Sequence, residues 1–146
     1  MPSTSPKKQS IPKPKRKAKT PKLADSAVVA GFPSPAEQYT ENPLDLNEYM
    51  VRNAPATFYV RVAGSSMNGA GIFDGDILVV DKSLPAVNGD IVIASVDGEF
   101  TVKYLKKRGS FVALEPANPD FNPIVFTHGM ELVVWGVATG LVRRFK

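Results

Sequence analysis

Short apolar runs separated by turn residues fill the chain from residue 56 onward. Runs of this length, rich in β-branched and aromatic residues, are typical of strands rather than helices. They predict seven strands, at residues 56–62, 76–81, 90–96, 99–105, 110–114, 124–126 and 131–144. Asp97-Gly98 lies between two of them and indicates a tight hairpin, because both turn residues must tolerate positive φ. Gly136 and Gly140 interrupt the last run and predict a bend or bulge there.

The pattern is different before residue 56. Residues 45–52 predict a short helix, with Asp45 in position to cap its first turn. Residues 1–24 contain Ile11 as their one large apolar side chain before Leu23, together with five prolines. Such a segment cannot bury enough apolar surface to offset its ordering entropy. We therefore predict that residues 1–24 are unordered and that the rest forms a mainly β, partly barrel-like domain.

The charge divides in the same way as the apolar pattern. The chain of 146 residues has a formal net charge of +4. Residues 1–30 carry 8 basic side chains and one acidic side chain, whereas residues 31–146 carry 10 basic and 13 acidic side chains. The basic stretch at residues 13–19 is either a patch for nucleic acid or localisation, or a solvated tail. Both interpretations stay open.

Several classes of site and location are excluded by composition. The chain has no cysteine and one histidine, His128, so disulfides, thiolate zinc sites and sites with two imidazoles are absent. Asp74, Asp76 and Asp81 match no EF-hand spacing and are interpreted as turn and strand-end residues. We expect no metal and no cofactor. No apolar run is long enough to span a bilayer and no signal sequence is recognisable, so we expect a cytoplasmic protein without a membrane partner.

Lys103 lies in the middle of a predicted strand, among apolar neighbours. Because side chains alternate between faces, Lys103 shares its face with Thr101 and Leu105. The lysine could extend its amine to water from an edge strand. Alternatively it is buried and neutral, which costs about 4–5 kcal/mol if its pKa falls from about 10.4 to near 7. A neutral lysine is a competent general base.

A nucleophile for such a base is available directly after the first long strand. Gly64, Ser65 and Ser66 follow that strand in a sequence that permits a tight turn. Serines that only cap a turn are common at such places, so this pair alone is a weak signal.

Four motifs in order give a specific resemblance. They resemble the LexA-like Ser/Lys autoproteases, and most closely the UmuD-like group of that family, over about residues 28–146. This resemblance implies a compact β-domain of short, strongly curved antiparallel strands with a flexible N-terminal arm. The motifs are GSSM at residues 64–67, DGDILVVD at 74–81, GDIVIA at 89–94 and GEFTVK at 98–103.

The resemblance also implies roles for individual residues. The serine before methionine, Ser66, is the nucleophile, and the lysine that ends FTVK, Lys103, is the general base. The backbone N–H groups of Ser65 and Ser66 stabilise the oxyanion. Thr101, on the same strand face as Lys103, is a candidate to orient the amine.

The scissile bond implied by the resemblance is Ala30–Gly31. Cleavage there would separate residues 1–30, the basic arm, from residues 31–146, the peptidase domain. The family implies a homodimer, activation by a RecA–single-stranded DNA filament, and a role for the processed form as the accessory subunit of a Y-family translesion polymerase in the SOS response. Direct contact between the basic arm and nucleic acid remains an open alternative.

Other functions remain as alternatives. A truncated LexA-type or phage-type repressor would need an N-terminal DNA-binding domain, and residues 1–30 are proline-rich. A signal-peptidase-like enzyme would need a membrane anchor. A nucleic-acid-binding β-barrel module should have a basic body, whereas residues 31–146 carry more acidic than basic side chains.

Overall fold

The structure, a computed structural model, describes residues 10–12, 20–24, 27–28, 30–31 and 41–146. Contacts within the chain divide it into two units, Met1–Tyr49 and Met50–Lys146. Most of the segment predicted to be unordered, including the basic stretch at residues 13–19, lies outside the described residues. The separate arm at residues 1–30 therefore stays a prediction.

Two short strands pair in the N-terminal unit. Strand β1 (Lys22–Ala24) runs antiparallel to strand β2 (Glu41–Pro43). The Leu44 N–H donates to the Pro21 carbonyl at 2.8 Å and lengthens this ladder. The prediction of an unordered chain was wrong at residues 22–24. Backbone pairing orders them, and because all three residues of β1 are exposed, no apolar pattern marks the strand in the sequence.

Helix α1 (Leu46–Met50) follows β2 and confirms the predicted helix. The Asp45 carboxylate accepts the backbone N–H of Asn47 at 2.9 Å and that of Glu48 at 3.4 Å. These donors have no partner inside the helix, so Asp45 is the predicted cap.

The C-terminal unit contains a seven-stranded sheet in which every neighbouring pair is antiparallel. The order across the sheet is β3-β4-β9-β5-β6-β7-β8, so the last strand of the chain lies near the middle. All seven predicted strands are present, and the mainly β fold is confirmed. The strands are β3 (Thr57–Arg61), β4 (Ile77–Asp81), β5 (Ile91–Val96), β6 (Glu99–Arg108), β7 (Phe111–Glu115), β8 (Ile124–Val125) and β9 (Leu132–Val142).

The predicted hairpin joins β5 to β6. Val96 and Glu99 are paired, and the two residues between them, Asp97 and Gly98, have φ of 48° and 88°. Positive φ at both positions matches the right-handed twist of the flanking strands. The turn sets the register that places Lys103 opposite Val92.

Strand β9 contains two bulges, as its glycines indicated. Its register with β5 shifts so that Trp135 has no partner, and its register with β4 shifts so that Thr139 has none. At Gly136, next to the first bulge, a Cβ atom would lie 2.6 Å from Val80 Cγ1. Glycine is thus required because β9 approaches β4 closely there.

Apolar side chains cover both faces of the central strands. Along β5, Ile93 joins one buried cluster while Val92 and Ala94 join the other. Met67, from the loop after β3, is buried in the first cluster together with Ile93. The loop that contains Ser66 is therefore anchored to the core through the side chain next to Ser66.

Candidate active site

Ser66 lies on the loop between β3 and β4, here called the serine loop (residues 64–70). The loop begins at Gly64, whose φ is 90° and whose N–H donates to the Asp74 carboxylate at 2.8 Å. It ends in a 3-10 turn at Asn68–Ala70. Between them, Met67 is 2% exposed, so the adjacent Ser66 is held at the surface of the core.

Lys103 is a buried residue of β6. It pairs with Val92 of β5, whereas the ladder between β6 and β7 begins at Tyr104, and its side chain is 8% exposed. The structure thus decides between the two interpretations of Lys103, because a side chain this buried does not extend its amine to water. The Lys103 amine is 3.0 Å from Ser66 Oγ.

Burial lowers the pKa of the Lys103 amine below its ordinary value of 10.5, because removal from water disfavours the charged form. Ion pairs of the described residues join Lys106 to Glu115 and Arg143 to Asp76, and none of them includes Lys103. Because no carboxylate of the described residues pairs with the amine to restore its charged form, a larger fraction of the amine is neutral at a given pH than in an exposed lysine.

Two further acceptors surround the Lys103 amine. Nζ lies 2.6 Å from Thr101 Oγ1 and 3.1 Å from the Val102 carbonyl oxygen. Thr101 is therefore in contact with the amine, as its position on the same strand face suggested. Together with Ser66, these groups surround Nζ with three polar partners.

The backbone N–H groups of Ser65 and Ser66 have no hydrogen-bond acceptor among the described residues. Both residues are partly buried. Unpaired donors beside a serine hydroxyl are what an oxyanion site requires. The N–H groups of Ser65 and Ser66 are thus available to stabilise an oxyanion, which is the role that the resemblance implies.

The segment after β7 holds the serine loop by three hydrogen bonds. The Ala117 N–H donates to the Ser66 carbonyl at 2.8 Å, and the Gly69 N–H donates to the Ala117 carbonyl at 2.6 Å. The Asn118 side-chain amide donates to the Ser65 carbonyl at 2.8 Å. Sequence reasoning missed these partners, because no local pattern connects residues so far apart along the chain.

Asp76 has a larger structural role than the turn residue that the sequence indicated. It is 2% exposed and accepts from Arg143 Nε at 2.6 Å and from the Phe73 N–H at 2.7 Å. The hydrogen bond from Arg143 lowers the pKa of Asp76. Arg143 also donates to the Gly71 carbonyl at 2.7 Å, so the end of β9 holds the segment that follows the serine loop.

Ala30 and Gly31, the predicted scissile pair, belong to the N-terminal unit. Both are exposed and lie in a bend. A Cβ atom at Gly31 would meet no atom of the described residues within 4 Å. Val29 and residues 32–40, which flank the pair, lie outside the described residues, and cleavage at this bond stays a prediction.

No group of three or more histidine, aspartate and glutamate side chains within the described ranges could hold a metal ion. Asp81 accepts hydrogen bonds from the backbone and hydroxyl of Ser83, and Asp74 accepts from the serine loop. Among the helices of residues that the structure describes, none is long and apolar enough to cross a membrane.

Comparison with known proteins gives matches over most of the chain. The model of the family described as Peptidase S24-like matches residues 22–139. Protein SamA from Salmonella typhimurium is 48% identical over 117 residues, which cover 80% of this chain and 81% of SamA. Protein MucA from Escherichia coli is 49% identical over 113 residues, 77% of each chain. The LexA repressor of Erwinia tasmaniensis is 44% identical over 117 residues, which cover 80% of this chain and 57% of the repressor.

Proposed function

Because the chain belongs to the Peptidase S24-like family, we propose that it is a self-cleaving serine peptidase that cuts its own Ala30–Gly31 bond. Ser66 is the nucleophile and Lys103 the general base. The observation that carries this proposal is the 3.0 Å contact between the buried Lys103 amine and Ser66 Oγ.

The partners of the Lys103 amine match the needs of a neutral base. A neutral amine has two N–H donors and one lone pair. The Val102 carbonyl can only accept, so it takes one N–H, and the Thr101 hydroxyl can accept the other. The lone pair then accepts the hydroxyl proton of Ser66. Thr101 and Val102 thereby direct the basic electron pair toward the nucleophile.

Cleavage proceeds in two steps with the same base. In the first, Ser66 Oγ attacks the Ala30 carbonyl carbon as its proton passes to Lys103, and the N–H groups of Ser65 and Ser66 bind the oxyanion. The bond to the Gly31 nitrogen then breaks, and Lys103 returns the proton to that nitrogen. In the second, Lys103 takes a proton from water as the water oxygen attacks the Ala30 ester carbonyl, and Lys103 then returns the proton to Ser66 Oγ as the ester bond breaks.

The substrate is part of the same chain, so docking controls the reaction. Covalent connection gives a high effective concentration of the scissile segment without tight binding. Gly31 has no Cβ, which lets the backbone approach the nucleophile closely. We propose that a RecA–single-stranded DNA filament acts by favouring the docked state of residues 28–33.

The wider role follows from the family group. The family match and the relatives at 48–49% identity support the resemblance to UmuD-like proteins of SOS mutagenesis. We propose that the processed chain, residues 31–146, is a homodimer that serves as the accessory subunit of a Y-family translesion polymerase. Cleavage would remove the basic residues 1–30 and leave a body with more acidic than basic side chains.

The test is mass spectrometry of the purified full chain after incubation at about pH 10, and at neutral pH with and without the filament. Cleavage should give a fragment that begins at Gly31. Its rate should rise about tenfold per pH unit until the pKa of Lys103 is reached, because the neutral fraction rises in that way.

Matched variants separate the proposed roles. Ser66→Ala and Lys103→Ala should stay intact at every pH. Ser65→Ala removes only the neighbouring hydroxyl, and Lys106→Ala removes a partly exposed lysine of the same strand, so both should be cleaved at the rate of the unmodified chain. Cleavage of Ser66→Ala at an unchanged rate would refute the assignment.

A further inference from the structure

Asn118 holds the peptide group that carries one of the two proposed oxyanion donors. We propose that Asn118 is a positioning residue that orients the Ser66 backbone N–H toward the oxyanion. This inference rests on the self-cleavage proposed above. It assigns a function to a side chain 53 residues away from Ser65, with no motif of its own.

The geometry of the peptide unit determines which way the Ser66 N–H points. The carbonyl of Ser65 and the N–H of Ser66 belong to one planar peptide unit, and the chain has no cis peptide bond among the described residues. In a trans unit the C=O and N–H bonds point in opposite directions. A donor that holds the Ser65 carbonyl on one side therefore directs the Ser66 N–H to the other side. Asn118 Nδ2 is such a donor, at 2.8 Å.

The Asn118 amide is itself fixed in orientation. Its Oδ1 accepts the Asp120 N–H at 3.0 Å, which assigns the other end of the amide, Nδ2, as the group that faces the serine loop. Asn118 is partly buried, so solvent only partly competes for these bonds. The side chain thus connects the serine loop to the turn after β7.

A second donor to the same carbonyl does not replace Asn118. The Asn68 N–H also donates to the Ser65 carbonyl, at 3.2 Å. That bond lies within the serine loop and moves with it, whereas Asn118 belongs to another part of the sheet. Asn118 therefore fixes the orientation of the Ser65–Ser66 peptide plane relative to the sheet, and not only within the loop. Donation to the carbonyl also polarises the peptide unit and strengthens its N–H as a donor.

The proposed role predicts a specific kinetic signature. The Ser66 N–H acts on charge that develops in the transition state, so its misdirection should lower the rate of cleavage at every pH. Removal of a whole oxyanion donor typically costs about a hundredfold or more, and misdirection should cost about ten- to hundredfold. The pH midpoint, which reports Lys103, should not move. A loosened serine loop would instead separate Ser66 from Lys103 and shift that midpoint.

The experiment measures cleavage of the full chain from neutral to alkaline pH in Asn118→Ser. This variant keeps an oxygen acceptor for the turn, adds no charge near Lys103, and is too short to donate to the Ser65 carbonyl. Asn88→Ser is the control, because Asn88 also accepts a backbone N–H, from Lys107 at 2.8 Å, away from the serine loop. Thermal unfolding is recorded for each. If Asn118→Ser does not fold, Asn118→Thr keeps the same acceptor and is equally short.

We expect a rate lower by about ten- to hundredfold in the Asn118 variant, an unchanged pH midpoint, and an unaffected Asn88→Ser. A folded Asn118 variant that cleaves within about threefold of the unmodified chain would overturn the inference, and so would a shifted midpoint. Failure of the unmodified chain to cleave would refute the proposed function and this inference together. Cleavage that depends on Ser66 but is indifferent to Asn118 would refute the inference alone.

Discussion

Gly69→Ala tests whether the contact between the serine loop and residue 117 matters for chemistry. A Cβ atom on Gly69 would lie 2.5 Å from the Ala117 carbonyl oxygen and 3.2 Å from its carbonyl carbon. Both are backbone atoms, so the clash cannot be relieved by a side-chain rotation. The backbone of Gly69 is outside the left-handed region, and the cost of alanine therefore comes from this contact alone.

The distances around Gly69 give the loss of stability expected for Gly69→Ala. To reach an ordinary contact distance of 3.4 Å or more, the two segments must separate by nearly 1 Å. That movement lengthens the 2.6 Å hydrogen bond between Gly69 and Ala117. Overpacking of this kind costs about 1–3 kcal/mol, and alanine recovers about 0.4–1 kcal/mol through the unfolded state. The unfolding midpoint should fall by roughly 4–16 °C, for a net cost of about 1–2 kcal/mol in a domain of this size.

The cleavage rate should fall by far more than this loss of stability implies. A misplacement of about 1 Å in a reacting group can cost about a hundredfold in rate. The Ala117 N–H and the Asn118 amide hold the Ser66 and Ser65 carbonyls, so the movement is transmitted to the nucleophile. The assay follows the fragment that begins at Gly31 by mass spectrometry, well below the unfolding midpoint of each variant.

Gly136→Ala is the matched control. Its Cβ would lie 2.6 Å from Val80 Cγ1 and 3.3 Å from the Asp81 carbonyl oxygen, a clash of similar depth where β9 passes β4 rather than with a residue that holds the serine loop by a hydrogen bond. It should lower the unfolding midpoint to a similar extent and leave the cleavage rate of the folded protein unchanged. A folded Gly69→Ala that cleaves within about threefold of the unmodified chain would refute the reasoning, as would an equal loss of rate in Gly136→Ala.

Two further predictions concern side chains around the site. Thr101→Val removes the hydroxyl that lies 2.6 Å from the Lys103 amine. The cleavage rate should fall by about tenfold, and the pH midpoint of cleavage should move lower because the charged amine loses an acceptor. An unmoved pH profile would contradict this. Arg143→Leu should lower the unfolding midpoint at neutral pH well beyond the effect of Arg144→Leu, because it leaves Asp76 buried without its cation. Since the pKa of Asp76 is lowered in the folded state, the part of this difference that comes from Asp76 should be complete at neutral pH and should shrink as the pH falls below about 4, while the part from the Gly71 carbonyl remains; a difference that does not shrink in acid would contradict the assignment.

The strands were predictable because their causes are local. Alternation and β-branched residues mark β3 to β9, and Asp97-Gly98 marks the hairpin. The same alternation placed Lys103 among apolar neighbours but could not show whether its amine reaches water. Its burial depends on tertiary contacts, including the serine loop 37 residues away, whose Ser66 Oγ lies 3.0 Å from the amine.

The supports of the site were not predictable for a related reason. Asn118 and Arg143 act on carbonyls 53 and 72 residues away along the chain, and neither has a local signature. Asp76 looked like a turn residue because its spacing to Gly75 is that of a turn. Its burial against Arg143 becomes evident only when β9 is placed beside β4. Strand β1 went unrecognised because all of its residues are exposed.

The ladder between β1 and β2 has a consequence for the products of cleavage. In sequence, Ala30–Gly31 lies between the two strands, so hydrolysis would leave β1 on one fragment and β2 on the other. Before cleavage, β1 and β2 pair within one chain, which supplies a millimolar effective concentration. After cleavage, the same pairing requires two separate molecules to associate, and that effective concentration is lost. A two-stranded ladder of three residues per strand is marginal even when its ends are connected. Dilution alone should then separate the fragments, which would make processing irreversible without any further factor.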